Sequence, residues 1–504
     1  MKSARLMCVI AIVLFAVFVV PAGLAAEDKH NDHMHHHYKL IDLGTFGGPQ
    51  SYSGVLPAVN PVVNEQGVAV GYADTPAPDP FPAFCFDPDC FVAHSFQWQD
   101  GEVTDLGTLA AGWSSQPFWI SGNGKIAGIS QNGEIDPLLG IPEFRAVLWQ
   151  NGGITDLGTL EGGYQSFASA VNNRGQVAGA ALNTIPDAFC LFATGLCNTQ
   201  TRAFLWRKGV MQDLGTLGGP DAEALLINQR GQIAGMSYTS SMPNPNNGPF
   251  CTPNVPTIHA VLWQSGEMID LGSLGGACGN VSAINDRGQV AGGSSLPGDL
   301  EFHPTLWNHG TLTDLGTFGG NFGFTNWISA GGEVVGGANF PDNTTFHAAL
   351  WKDGVMIDLG TVPGDACSTA LVNNSRGVII GNSGTCDGSI SRAVLWDKGS
   401  IVDLNTLIPP NSDLYLNLAL YVSDRGDIAG NGTLSSGDNH AFLLIPCDEN
   451  HPGDEGCDYS VADTPAAVAQ TSPAVRNTSR TLPQSLMRRM NPHHFPDRAF
   501  GSRN

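Results

Sequence analysis

His259-Ala260-Val261-Leu262-Trp263-Gln264-Ser265-Gly266-Glu267-Met268-Ile269-Asp270-Leu271-Gly272 places two short apolar runs on either side of a glycine-containing turn. Two such runs separated by a turn read as a β-hairpin. The pattern recurs: Trp98, Trp149, Trp206, Trp263, Trp307, Trp351 and Trp396 each stand seven residues before an Asp. A constant count across a turn means that the two flanking strands are held in register. That Asp, usually followed by Leu-Gly-Thr, falls at Asp42, Asp105, Asp156, Asp213, Asp270, Asp314, Asp358 and Asp403. Its last three intervals are 44, 44 and 45 residues, and the earlier ones lie between 51 and 63. Periods in the forties match one blade of a β-propeller.

Two further landmarks keep step with the Asp. About fifteen residues after it comes Asn or Ser, then a short turn and a strand closed by Gly, as in Ile284-Asn285-Asp286-Arg287-Gly288-Gln289-Val290-Ala291-Gly292. From that Asn or Ser to the closing Gly is seven residues in each copy except the seventh, read as eight. Next comes His or Arg at the head of the Trp-ending run. One unit is therefore four strands: a, ending at the Asn; b, ending at Gly; c, ending at Trp; and d, ending at Asp-Leu-Gly. The a–b and c–d turns both place Gly where a type I turn with a bulge needs a left-handed residue. Those hairpins share one face of each blade, which leaves the b–c and d–a connections on the other.

From the closing Gly to the His or Arg there are ten or eleven residues in copies five to eight, but 17 to 24 in copies one to four. Nearly all extra length thus decorates the b–c side, where binding is to be sought. The repeat opens with a lone d strand, Lys39-Leu40-Ile41-Asp42, and ends with a c strand, His440-Ala441-Phe442-Leu443-Leu444. Pairing first with last completes an eighth blade and removes two open edges. The expectation is an all-β, eight-bladed propeller of four-stranded antiparallel blades; a β-solenoid is the rival.

Composition sets the compartment. Of 504 residues, 63 are Gly and 32 Pro, which suits short strands and many turns. Asp and Glu outnumber Lys and Arg by 46 to 23, a formal charge of −23 that excludes a broad nucleic-acid surface. Residues 1–26 read as a signal peptide: Lys2 and Arg5, an apolar run from Leu6 to Val20, then small residues to Ala26. That run is too short for a spanning helix, so no transmembrane segment is expected once the signal is removed. The domains expected are the signal peptide (1–26), a His-rich flexible segment (27–37), the propeller (38–446) and a disulfide-tethered, mostly disordered tail (447–504). The chain reads as a secreted monomer, at the surface or in the periplasm if bacterial. Ten cysteines remain after signal removal, an even number that points to disulfides. Proximity pairs Cys85 with Cys90, Cys190 with Cys197 and Cys447 with Cys457, leaving Cys251 with Cys278 and Cys367 with Cys386.

The strings Asp-Leu-Gly-Thr-Leu-Gly-Gly at 213–219, Ile-Asn-x-x-Gly-Gln-Val-Ala-Gly at 284–292 and His-Ala-Phe-Leu at 440–443 make residues 38–445 resemble the bacterial extracellular HAF repeat family. The resemblance implies export and a repeat fold, and brings no catalytic residues with it.

Candidate chemistry lies outside the repeat pattern. A residue present once per blade serves the blade: each repeated Asp is expected to accept amides of its own turn, and His and Arg to share a donor contact. Trp119 and Trp327 precede the strand-a Ile, where other copies carry Ala170, Leu226, Ala283 or Leu371. With Trp113 on the preceding loop they either stack on a sugar at the axial channel or simply fill it. The long loops carry Asp74, Asp79, Asp87, Asp89, Glu134, Asp136, Glu143 and Asp187. Such acids, Asp136 and Glu143 foremost, suit ligand contact, Ca²⁺ or an acid/base pair. His33, His35, His36 and His37 suit weak transition-metal binding. No other cofactor is implied. The leading reading is a non-enzymatic binder of a glycan or surface polymer. The alternatives are a propeller glycoside hydrolase or lyase, and a structural or adhesive protein.

Overall fold

A computed structural model describes residues 37–448, except 55–58, 83–84, 86–88, 190, 192–197 and 245–247. The signal sequence, His33, His35 and His36, Asp87, the Cys190–Cys197 pairing, Cys457 and the tail therefore lie outside the described residues. Among the described residues, thirty-two strands form eight separate four-stranded antiparallel sheets. Blade 5 shows the unit: strand a Gly279–Ile284, b Val290–Ser295, c Phe302–Asn308 and d Thr311–Asp314, paired in that order. The eighth sheet joins Tyr38–Asp42 to Asn439–Pro446, with Leu40 opposite Leu444 and Asp42 opposite Phe442. The two ends of the repeat thus share one blade.

Cores lie between blades rather than within them. Ala170, Ala178 and Ala203 of blade 3 meet Ala222, Ile233 and Val261 of blade 4, for instance. The small residues let two sheets approach closely. The closing Gly of strand b is demanded by crowding within its own blade: a Cβ at Gly71 would overlap the Tyr52 carbonyl oxygen of strand a and the Phe96 ring of strand c, and Gly179 and Gly430 meet the equivalent atoms of Phe167 with Phe204 and Leu418 with Phe442.

Each landmark of the repeat has a hydrogen-bonding task. Turn asparagines accept amides of their own turn and donate to the next blade, as Asn172 Nδ2 does to the Asn228 carbonyl (3.1 Å), Asn228 to Asn285 (2.9 Å) and Asn285 to Ser329 (3.1 Å). Where Ser replaces Asn the hydroxyl cannot reach across, and a neighbour takes over: Asn123 Nδ2 donates to the Asn173 carbonyl at 2.8 Å. At the closing seam the Asp424 amide donates to Glu65 at 2.9 Å. The Trp indoles stitch the same seams, Trp263 Nε1 donating to the Leu214 carbonyl of the preceding blade at 3.0 Å and Trp351 to that of Leu315 at 2.9 Å. His259 and Asp270 bond within their blade at 2.9 Å, and Asp270 also accepts the Gly272 amide at 2.8 Å. Arg202 and Asp213 form the corresponding pair at 2.9 Å, while Arg145 turns to Glu143 instead (2.7 Å). His440 and Asp42, 398 residues apart, make this contact across the closure at 2.8 Å.

Two expectations need correction. The a–b turn has the expected form, with only Gly288 at positive φ (81°). The c–d turn is a tighter two-residue loop: Lys352 faces Val355, and both Asp353 (φ 51°) and Gly354 (φ 77°) are left-handed, as a type I′ turn requires. Such a turn follows the right-handed twist of the strands without an extra residue. In the seventh copy Asn374 makes the inter-blade bond, to the Ser423 carbonyl at 3.0 Å. It lies seven residues before Gly381, so the seventh copy keeps the common spacing and its neighbour Asn373 is not the counterpart. The same one-residue shift puts Val372, not Leu371, opposite Ile380 at the place Trp327 holds opposite Val335.

Candidate functional site on the loop face

The three disulfides among the described residues, Cys85–Cys90, Cys251–Cys278 and Cys367–Cys386, all tie b–c loops or d–a connections. They lie on one face, as the blade reading requires. Cys251, Cys278 and Asp299 place ligand-type atoms within 4.8 Å of one another, but both sulfurs are spent in the disulfide. Asp299 is occupied as well, accepting from the Ala277 amide (2.7 Å) and Ser295 Oγ (2.6 Å).

Two indoles reach the cores of several blades at once. Trp119 packs against the cores between blades 2 and 3, 3 and 4, and 4 and 5. Trp327 does the same between blades 5 and 6, 6 and 7, and 7 and 8, and meets Tyr421 of blade 8 edge-on at 5.5 Å. Contacts spanning so many blades are open only to a side chain at the centre. Trp119 and Trp327 are therefore brought to one axis, and both stay partly buried there. Trp113 stands apart, on the loop face, half-buried and edge-on to Phe81 at 5.0 Å.

The loop acids lie at the roots of the long loops. In blade 1 the Asp79 amide donates to the Cys90 carbonyl (2.8 Å), its carboxylate accepts the Phe81 amide (2.8 Å), and Ser114 bonds to it from the next blade. In blade 2 the Asp136 amide donates to Ile141 (2.8 Å), Leu138 donates to its carboxylate (2.8 Å), and Gln165 Nε2 reaches it from the next blade at 2.9 Å. In blade 3 the Asp187 amide donates to Asn198 (3.1 Å), Phe189 donates to its carboxylate (2.9 Å), and the partner from the next blade is Asp221. Ser114, Gln165 and Asp221 also cap strand c behind them, accepting the amides of Ala93 (3.2 Å), Phe144 (2.9 Å) and Thr201 (2.7 Å). Glu143, like Asp136, is spoken for: its Oε2 accepts from Asn132 (2.9 Å) and Arg145 (2.7 Å). Asp136 and Glu143 thus hold loops in place, and both are buried. His37 sits at the propeller's edge, its carbonyl accepting the Cys447 amide at 2.8 Å.

Blade 3 differs from its neighbours in electrostatics. Burial pushes the Asp221 carboxyl up to about 8; the Thr201 amide and Arg202 oppose this, and the negative Asp187 adds to it. Burial raises Asp187 too. Glu223, two residues along the same strand from Asp221, is raised to about 8 by burial alone, and its Oε1 has no hydrogen-bond partner among the described residues. Neither Asp221 nor Glu223 drew notice in the sequence. Superposing the repeats finds Asp221, because other blades put Ser114 or Gln165 there. Glu223 occupies the second register position of strand a, which carries Tyr52, Gln116, Phe167, Asn280 and Phe324 elsewhere around the ring.

No protein-family model and no curated protein matches the chain. Solved structures that resemble it include the β-propeller domain of the trilobed protease from Pyrococcus furiosus, at 8% identity and a TM-score of 0.40, covering 74% of this chain and 96% of that one. Porphyromonas gingivalis dipeptidyl peptidase 4 matches at 11% identity and 0.42, over 71% and 57% of the two chains. A Trypanosoma rangeli sialidase matches at 9% and 0.31, over 69% and 55%. No helix among the described residues is long and apolar enough to cross a membrane.

Proposed function

We propose that this protein is an exported, monomeric, non-enzymatic propeller that binds a glycan or another cell-surface polymer on its loop face. One observation carries the reading: three consecutive long loops are each fastened at the root to the following blade, which supports a surface preformed at those roots. Preformed surfaces bind without the entropy cost of ordering loops. Half-buried Trp113 against Phe81, and Phe118 stacked on Phe167 at 4.4 Å, supply ring faces of the kind sugars stack on. The HAF-like repeat and the amino-terminal signal pattern support export.

The test is a glycan array probed with the secreted chain. Binding to a defined set of glycans, reduced about tenfold by Trp113→Ala with the melting temperature unchanged, is the expected result; such a loss is about 1.4 kcal/mol, within the range of aromatic contacts. Absence of binding to any glycan or cell-surface polysaccharide overturns it.

A propeller glycoside hydrolase or lyase is the second reading, favoured by the raised carboxyls of Asp221 and Glu223. Against it stands their burial, 0% and 4% exposed, which keeps both from a substrate on the surface. Polysaccharide turnover abolished by Glu223→Gln would reverse the ranking.

A further inference from the structure

The Asp–partner contact recurs in three consecutive blades, and its chemistry changes in the third. Ser114 and Gln165 bring their own hydrogen to Asp79 and Asp136, so those contacts hold at any pH at which the acids are ionised. Asp221 brings none. Its Oδ1 is used by the Thr201 amide, and its buried Oδ2 has no donor among the described residues. Asp187 faces it with one oxygen likewise taken, by the Phe189 amide. Two carboxylates in this arrangement repel unless a proton lies between them.

We propose that Asp187 and Asp221 form a proton-operated latch, in which one hydrogen shared by the two carboxyls fastens the segment from Asp187 to Phe189 to blade 4 and its loss in mild alkali unfastens it. The latch deepens the binding-face reading, because the fastened residues belong to that face. What it holds is visible: Phe189 lies edge-on to Tyr238 at 6.2 Å, and Leu191 packs with Met236, Tyr238 and Ile258 of blade 4. The other ionisable groups around it are few. From blade 3, Arg202 opposes the shift but is already paired with Asp213 at 2.9 Å. From blade 4, Tyr238 is a neutral phenol that burial and the two acids hold above its ordinary value. Glu223 follows on the same strand. Burial of Asp221 keeps substrate away, so the pair acts on the loop's position.

The sign follows from where the proton resides. The folded protein keeps it up to about pH 8, whereas an unfolded carboxyl releases it near pH 4. This pair's contribution to stability therefore declines as pH rises from about 4 to about 8 and levels off above.

Asp221→Asn tests the latch without any ligand, so its outcome is separable from that of the glycan array. The amide retains an acceptor for Thr201 and gives Asp187 a permanent donor, the arrangement Gln165 makes with Asp136. Hydrogen exchange at the Phe189 and Thr201 amides, corrected for intrinsic rates, is compared at pH 6 and pH 9.5. Protection in the unsubstituted protein is expected to fall at least tenfold, and in Asp221→Asn less than twofold. Infrared spectra at pH 7 are expected to show protonated-carboxyl absorption that the substitution lowers, leaving the share of Glu223. Asp221→Ser, copying Ser114, serves if the amide variant does not fold. Identical exchange profiles in both proteins, or equal protonated-carboxyl absorption in both, overturn the proposal. So does calcium restoring protection to the unsubstituted protein at pH 9.5, since the pair would then be a cation seat.

Discussion

The two faces of the ring are built from the same repeat under opposite constraints. On the hairpin face each turn must meet its neighbour, and almost every seam is closed by the same Asn-to-carbonyl bond or a nearby replacement. On the loop face lengths vary, and blades 1, 2 and 3 meet the next through different side chains: Ser114, Gln165 and Asp221. A repeated residue thus reports on assembly, and a residue that varies at a repeated position reports on what one blade does differently. The acid pair in blade 3 stands out only because its counterparts are neutral.

Four experiments would break or sharpen this contrast. The largest effect is expected where both faces depend on ring closure. Phe442, fully buried in the blade that joins the ends of the repeat, should cost about 3–5 kcal/mol on truncation to Ala, read as a shift in denaturant midpoint. A loss below about 1 kcal/mol would mean that closure contributes little.

On the loop face, replacing Cys251 and Cys278 together by Ser releases a cross-link spanning 27 residues, worth about 3–4 kcal/mol in the chain-entropy picture, against about 2 kcal/mol for the five-residue Cys85–Cys90 link. Calorimetric melting of the two variants ranks them, and the reverse order would show that local packing outweighs loop length.

The hairpin face is probed by Asn228→Ala. It strips two acceptor contacts, from the Arg230 and Gln232 amides at 3.0 Å, and two donor contacts, to the Asn285 carbonyl at 2.9 Å and to Gln232 Oε1 at 2.7 Å. A loss of about 1–3 kcal/mol in urea unfolding is expected, with Asn228→Ser milder because Ser121 and Ser329 occupy this place naturally.

The smallest effect concerns the intra-blade pairs. Burial raises Asp105, but the His94 hydrogen bond, the Gly107 amide and the His94 charge together outweigh it and hold the carboxyl below its ordinary value. Its contribution is therefore present above about pH 4 and is lost as pH falls through the depressed folded value. Because Asp105 is 43% exposed, solvent screening limits this to below about 1 kcal/mol. Melting from pH 6 down to pH 2.5 should show Asp105→Asn converging on the unsubstituted protein. A gap that widens in acid would reverse the sign.

By itself the sequence determined the blade count, the strand order, the closing partners and the face that carries the long loops. Those follow from spacing, since a strand's register and a turn's length are local properties that any repeat must obey each time. It also marked Trp119 and Trp327 as departures from the pattern. Only the tertiary structure decided that these two indoles meet the cores of blades on opposite sides of one axis, and that Asp136 and Glu143 are occupied in holding loops. It alone brought Asp187 against Asp221, 34 residues further on. Whether a carboxyl is free, paired or protonated depends on what the next blade brings to it and on how much water is left there. Neither quantity is written in the spacing of the chain.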